Sequence, residues 1–510
     1  MHNGLARTVA RILSLTSWAV AAAATQPIAY GQDLKVRPNA PDFERLKAQV
    51  YSLPPQLSGY FLSRISEQAR DKQEKLQFLR DAVAYARLSS PYDYVVVGSP
   101  TTSVQQSLGG ERGGLEGLTV QLSAIEALAS VEPSEAFDLL ENLIVPPTGA
   151  IDCDTVLVPN VGKQIARAYS VANILAPRVK NGADRRRRFL FRLLSSAESS
   201  LEIPAMLLIA ADDHWSDAES LAVEGLIAAL LGRVADGDPA FTIAAVFNDM
   251  SRRMVMFLKG IARRSHSTDA VLTAYREYLL KNRVRRCANS MFYERQVLNR
   301  VPSGHPVKTF NSMISDEGFN FLGATRKNLR PIEADAFGTI ASTGARQKQE
   351  LILDTADGRE LANALGELLE KPAPTKAKEV DEFLQRCMLY LKESPRTSQS
   401  PLQAVAEVGY FFERVLQLSL SPNTIAEVSE LFVAELARLW DRGGVDEIAM
   451  LYLKDLFSTC SRGNGTTIDR SVLDARRTGA EQGARGAPGT VVTLVSLFGY
   501  FQDRSGKCSP

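Results

Sequence analysis

Apolar positions recur along most of the chain at the spacing of helices, and runs with the two-residue alternation of strands are few. From Ile243, the residues Val246, Phe247, Met250, Met254, Phe257, Leu258 and Ile261 fall at offsets 3, 4, 7, 11, 14, 15 and 18. Those offsets put them on one face of about five helical turns, a face that has to be covered by other apolar surface. Helix starts are marked too. Asp238-Pro239, Ser400-Pro401 with Gln403 at the capping-box position, and Ser421-Pro422 each combine two start signals. The first residue offers an acceptor to the orphan amides, and the proline lacks an N–H where none is needed.

Three segments, 114–145 around Pro133, 216–264 around Pro239 and 401–440 around Pro422, share a helix, turn, helix layout and predict αα-hairpins. Hairpins of this kind bury a continuous core by stacking on their neighbours. The fold expected is all-α: an irregular α-solenoid or multi-helix array of αα-hairpins with no fixed repeat, against a compact multi-helix bundle as the competing architecture. The clearest strand-like run is 92–97, bounded by Pro91 and Gly98, which reads as a strand or as an extended segment crossing the helices.

The helical pattern breaks in three places. Residues 98–117 are glycine-rich and predict a surface loop; 301–378, where Gly, Pro, Ser and Thr rise toward Pro372 and Pro374, predicts a loop-rich linker region. The Gly- and Arg-rich stretch 462–489 predicts a weakly ordered excursion before the last apolar element at 491–501. The expected organisation is thus a helical domain at 32–300, the linker region at 301–378 and a C-terminal helical domain at 379–510.

Residues 1–31 carry Arg7 and Arg11 with no acid, a mostly apolar stretch at 12–24, and small residues at Ala29 and Gly31. This is the layout of a cleavable signal peptide, with the cut expected after Gly31 and a second candidate site at Ala22 to Ala24. The apolar stretch is too short to span a bilayer, and so is 491–501, so no transmembrane segment is expected after signal removal. The expected destination is the periplasm or the exterior. Cleavage removes two of 59 basic residues and none of 58 acidic ones, leaving a net charge of about −1. Bulk attraction to nucleic acid is therefore not expected.

All five cysteines, Cys153, Cys287, Cys387, Cys460 and Cys508, lie beyond the signal, where oxidation is permitted. Phe383, Leu384, Cys387 and Leu391 follow helical spacing, which predicts a buried thiol at Cys387. The loop or terminal contexts of the others suggest Cys153 with Cys287 and Cys460 with Cys508, although spacing leaves other connectivities, and thiols throughout, open. The run from Leu272 to Leu279 (LTAYREYL), followed by Arg286-Cys-Ala-Asn289 and preceded by Cys153, resembles uncharacterised exported helical proteins of Acidobacteria-type bacteria. The resemblance covers about the middle third of the chain. It implies a Cys153–Cys287 pairing and no activity.

The most chemical-looking cluster is Asp212-Asp213-His214-Trp215-Ser216-Asp217, whose carboxylates and imidazole are of the types that ligate a metal or share a proton. The simpler reading is a helix boundary with Ser216 as N-cap, and it is preferred. No H-E-x-x-H, C-x-x-C, G-x-S-x-G or Walker A sequence supplies a stronger signal, and no metal or cofactor is expected. His266 stands at a helix end and His305 in a turn, neither with a partner nearby in sequence.

Charge distribution says more. Residues 251–300 hold twelve basic and three acidic residues. Arg252, Arg253, Lys259, Arg263 and Arg264 lie on one expected helix, and Lys281, Arg283, Arg285 and Arg286 end the next. The set predicts a basic surface patch: either a site for an acidic protein, an anionic polysaccharide or a lipid headgroup, or simply the solvated faces of two helices. Arg185 to Arg188 are read as a solvated face in the same way. The function expected is that of an exported binding or scaffold protein of the cell envelope, with a protein or anionic envelope component as partner. The alternative is an extracytoplasmic all-helical hydrolase with an active site of dispersed carboxylates. Such a cleft is usually lined with aromatics, and only three tryptophans, one within 1–31, favour binding over catalysis.

Overall fold

A computed structural model describes residues 40–90, 94–96, 115–148, 157–212, 215–234, 250–282, 284–288, 306–333, 338–341, 352–353, 355–371, 377–393, 399–418, 420–440, 446–458 and 467–502. Among them nearly all regular structure is helical, so the chain is all-α, as its periodicity predicts. Residues up to Glu44 form one unit, and the chain from Arg45 onward forms a second that holds every element after the first helix.

After α1 (Ala40–Ser52), α2 (Pro55–Ile65) starts on a proline and α3 (Lys72–Ala86) on Asp71, whose carboxylate accepts from the Glu74 amide at 2.8 Å. Helices α4 (Gly117–Ala129) and α5 (Pro133–Glu141) form the hairpin expected around Pro133. Arg80 of α3 ties α5 in place through Glu135, Nη2 to Oε2 2.7 Å. Then come α6 (Val161–Leu175), α7 (Gly182–Ser196), α8 (Ile203–Ala210), α9 (Asp217–Arg233), α10 (Met250–Arg263) and α11 (Asp269–Lys281). Helix α8 is apolar on every side, and a helix of that kind belongs at the centre. It is packed by α6, α7, α9 and α10. The face predicted from Ile243 is the buried one where it is described: Met250, Met254, Phe257, Leu258 and Ile261 are all 0–1% exposed. Residues 235–249, including Pro239, lie outside the described residues. On either side of them α9 packs chiefly on α11, while α10 lies on α8.

The strand-like run 92–97 contains β1 (Tyr94–Val96), which pairs antiparallel with β2 (Leu157–Pro159), Val95 opposite Val158. A second, parallel pair joins β3 (Val284–Ala288) to β4 (Gly338–Ala341). Residues 301–378 carry more regular structure than their composition suggests: α12 (Pro306–Ser315), a 3-10 turn Glu317–Leu322, α13 (Gly323–Asn328) and α14 (Ala356–Glu370). Part of the polar content there does capping. Asp316 accepts from the Gly318 amide at 2.9 Å, and Thr355 from the Gly358 amide at 2.9 Å. The glycine-rich loop expected at 98–117 falls mostly outside the described residues, although Gly117 itself begins α4.

The C-terminal helices are α15 (Ala377–Glu393), α16 (Pro401–Val415), α17 (Pro422–Trp440), α18 (Asp446–Leu456), α19 (Arg470–Gly483) and α20 (Gly489–Gln502). Ser400 and Ser421 cap α16 and α17 as predicted, accepting from the Gln403 amide at 3.1 Å and the Thr424 amide at 3.2 Å. The two helices pair, with Phe412 stacked on Phe432 at 3.9 Å between centroids. The weakly ordered excursion expected at 462–489 is a correction, because α19 occupies half of it and lies tight against α17. Its glycines serve close packing. An added Cβ on Gly479 would stand 2.0 Å from the Ala426 carbonyl oxygen, and one on Gly483 would stand 2.2 Å from that of Glu430.

Helices far apart in sequence meet here. Phe61 of α2 and Phe498 of α20 pack edge to face at 5.0 Å, Gln49 Nε2 donates to Ser496 Oγ at 3.2 Å, and the Tyr500 hydroxyl donates to Gln68 Oε1 at 2.5 Å. No described helix is long and apolar enough to cross a membrane.

Candidate functional site

The 212–217 cluster and the basic stretch from Arg252, far apart in sequence, are brought together at the C-terminal end of α8. Asp212 leaves that helix with its carboxylate 2% exposed, ion-paired to Arg186 of α7 and accepting the Tyr169 hydroxyl at 2.5 Å. Arg186 Nε also donates to Asn173 Oδ1 at 2.5 Å, and Arg264 Nη2 donates to the Asp212 backbone oxygen at 3.3 Å. Burial first, and then the bond to the Asp212 carboxylate, pushes the Tyr169 phenol up to about 12.

Arg186 corrects the reading of Arg185 to Arg188 as one solvated face. It is 5% exposed, because it falls three, four and seven residues before Phe189, Leu190 and Leu193 on the buried stripe of α7. Its neighbours are engaged as well. Arg185 Nη2 reaches Asp138 Oδ1 and Glu141 Oε2, both at 2.6 Å, and Arg187 reaches Glu219 at 3.2 Å. The signal was present in the sequence, since a charge in register with an apolar stripe needs a buried counter-charge.

The rest of the cluster is a helix boundary. Trp215 is buried, with its indole N–H on the Ile209 carbonyl at 3.0 Å and its ring edge-on to Phe191 at 5.1 Å. Ser216 and Glu219 form the capping box of α9: Ser216 Oγ accepts from the Glu219 amide at 3.4 Å, and Glu219 Oε2 accepts from the Ser216 amide at 2.9 Å. The bond from the Ser216 hydroxyl holds the Glu219 carboxyl below its usual range. Asp213 and His214 lie outside the described residues, among which no three His, Cys, Asp or Glu side chains gather as a metal site would require. Ser216→Ala is expected to cost about 1 kcal/mol in urea unfolding, the usual worth of an N-cap; an unchanged midpoint would show that the cap contributes nothing.

His266 has a partner that local sequence could not reveal. Helix α10 ends at Ser265 in the left-handed region (φ 59°), and the His266 amide donates back to the Ile261 carbonyl at 3.2 Å. That turn sets His266 Nδ1 2.9 Å from Glu224 Oε1 of α9, 42 residues earlier. A carboxylate fixing one ring nitrogen orients an imidazole. His305 lies outside the described residues.

The basic residues of α10, with Arg264 just past its end, divide into two sets. Arg253 and Arg264 turn inward onto backbone oxygens, Arg253 Nη1 donating to the Pro204 carbonyl at 3.1 Å. Arg252, Lys259 and Arg263 are exposed on the opposite side, with Met256 among them at 58% exposure. These four positions, at offsets 0, 4, 7 and 11, form one outward stripe, and α10 contains no acidic residue. Lys259 Nζ lies 5.7 Å from the Phe321 ring centroid. Lys281 is exposed at the end of α11. Arg283 and the side chains of Arg285, Arg286 and Cys287 lie outside the described residues.

So do Cys153, Cys460 and Cys508, and no disulfide pair is present among the described residues. Cys387 is buried at 2% exposure, as its spacing predicts. It lines an apolar cavity of about 20 Å³ between α15, α16 and α17, with Leu384, Met388, Phe411 and Phe432. No carboxylate lines that cavity. Burial raises the carboxyl of Glu202, which is held by the backbone amides of Glu198 and Ser199, each at 2.8 Å, at the start of α8. These acids hold helices together instead of facing one another across a cleft. No family model matches the chain, and no curated protein matches it either.

Proposed function

We propose that this chain is an exported binding or scaffold protein of the cell envelope, an irregular array of αα-hairpins that presents a basic face to an anionic partner. The observation that carries the reading is the outward stripe of α10, with Arg252, Lys259 and Arg263 exposed on a helix that contains no acidic residue of its own. Arg253 and Arg264, bonded to α8 and to Asp212 two residues beyond its end, hold that stripe in a fixed orientation. The buried acids support the same choice over hydrolysis: Asp212 is held in an ion pair, Glu202 by backbone amides, and Glu407 by the Tyr390 hydroxyl and the Gln399 side-chain amide. The signal at 1–31 and the pairings Cys153–Cys287 and Cys460–Cys508 belong to this proposal, since export supplies the oxidising surroundings they require.

The test uses the full chain, expressed with a C-terminal tag and fractionated from intact cells. The mature protein is expected to start at Gln32 and to sediment with envelope at low salt but not at high salt, as surface charge contacts are screened. The charge reversal Arg252→Glu, Lys259→Glu, Arg263→Glu is expected to abolish sedimentation. Retention of an uncleaved chain in the cytoplasm, or equal sedimentation of the reversed variant, would overturn the reading.

A further inference from the structure

We infer that the partner of the α10 face is a linear acidic polysaccharide, an inference that rests on the binding role proposed above. The three exposed cations lie along a single rod. Arg252 and Arg263 are eleven residues apart, about 16 Å along the axis, with Lys259 between them. The rod cannot reorient, because its opposite face is core and two further arginines clamp it to α8 and Asp212. A row of fixed cations suits a chain that carries carboxylates or sulfates at regular intervals, and Arg in particular pairs with such planar anions through its fork.

Beside the row is something that a purely electrostatic patch would lack. Helix α10 packs on the 3-10 turn Glu317–Leu322, which brings the partly buried ring of Phe321 under Lys259, with Phe319 5.9 Å further on. The next helix, α13, carries Lys327 exposed in its last turn, while its Arg326 is tied to the Ile314 backbone carbonyl at 3.0 Å. Cations interleaved with partly buried aromatic rings match the two surfaces of an acidic sugar: charge at its carboxylate, and the apolar C–H face of its ring against the exposed part of an aromatic ring. A lipid surface would ask instead for several apolar anchors in one plane, where this stripe offers Met256 alone. An acidic peptide would satisfy the cations and leave the rings unused.

The experiment measures binding of the purified full chain to polygalacturonate, with dextran, poly-glutamate and phosphatidylglycerol vesicles as comparison probes. Polygalacturonate is expected to bind most tightly and dextran not at all. The triple reversal at Arg252, Lys259 and Arg263 is expected to weaken polygalacturonate binding by about tenfold or more. Phe321→Ala is expected to weaken polygalacturonate without changing poly-glutamate, and the unfolding midpoint of each variant shows that it has folded. Tighter binding to poly-glutamate or to vesicles, or a Phe321→Ala variant that binds polygalacturonate like the parent, would overturn the inference. If the reversed variant lost envelope sedimentation while polygalacturonate never bound, the binding role would stand and the polysaccharide would fall. If neither effect appeared, both would fall.

Discussion

Gly479→Ala is expected to lower the stability of the protein by about 2–3 kcal/mol, and Gly479→Leu by more, through overpacking of a helix contact that has no slack. The added Cβ would stand 2.0 Å from the Ala426 carbonyl oxygen, a backbone atom that cannot rotate away. Relief therefore requires α17 and α19 to move apart. Gly483 repeats the arrangement one turn later against Glu430, so each helix contributes an i, i+4 pair to the same seam. Gly366, in the middle of α14, is the contrasting case. No atom lies within 4 Å of a Cβ added there, and Gly366→Ala is expected to stabilise by about 0.4–1 kcal/mol through helix propensity and a less flexible unfolded chain. Urea unfolding with an unchanged slope measures both, and a Gly479→Ala variant as stable as the parent would show that α19 does not pack as described.

Removing one partner from the Arg186–Asp212 pair should be comparably severe. Asp212→Ala leaves a guanidinium 5% exposed with its counter-charge gone and Tyr169 without its acceptor, a change expected to cost about 3–5 kcal/mol. Replacing both charges, Arg186→Met with Asp212→Leu, is expected to cost less than either single change, because no unpaired charge is then buried. A double variant no better than the worse single variant would count against a direct pair.

The same network sets a dependence on alkaline pH. The Tyr169 phenol is raised to about 12 against an unfolded value near 10, so the folded state holds its proton more tightly than the unfolded one. Its contribution to stability is whole below pH 10 and is lost as pH climbs through about 12. Asp212→Asn, by removing the charge and the strong acceptor, should move the tyrosinate absorbance transition to lower pH. Burial is the larger cause and remains, so the transition should stay above the ordinary value. A transition unmoved by Asp212→Asn would dissociate the two groups.

Local rules settled much of this protein before any tertiary contact formed. Helical periodicity placed Met250 to Ile261 inside and predicted the buried thiol at Cys387, and the caps at Ser216, Ser400 and Ser421 were legible because a cap spans only three or four residues. What depended on distant partners was not legible. His266 meets Glu224 across two helices, Arg186 meets Asp212 from another helix, and α2 meets α20 through Phe61 and Phe498. The glycines of 470–483 misled for the same reason. Composition alone reads glycine as chain freedom, and only the presence of α17 makes the missing side chain a requirement for packing. The basic stretch lies between these cases: its charge was plain in the sequence, but only the packing of α10 decided that Arg253 and Arg264 turn inward while Arg252, Lys259 and Arg263 face out, because side-chain direction follows the face that a helix buries.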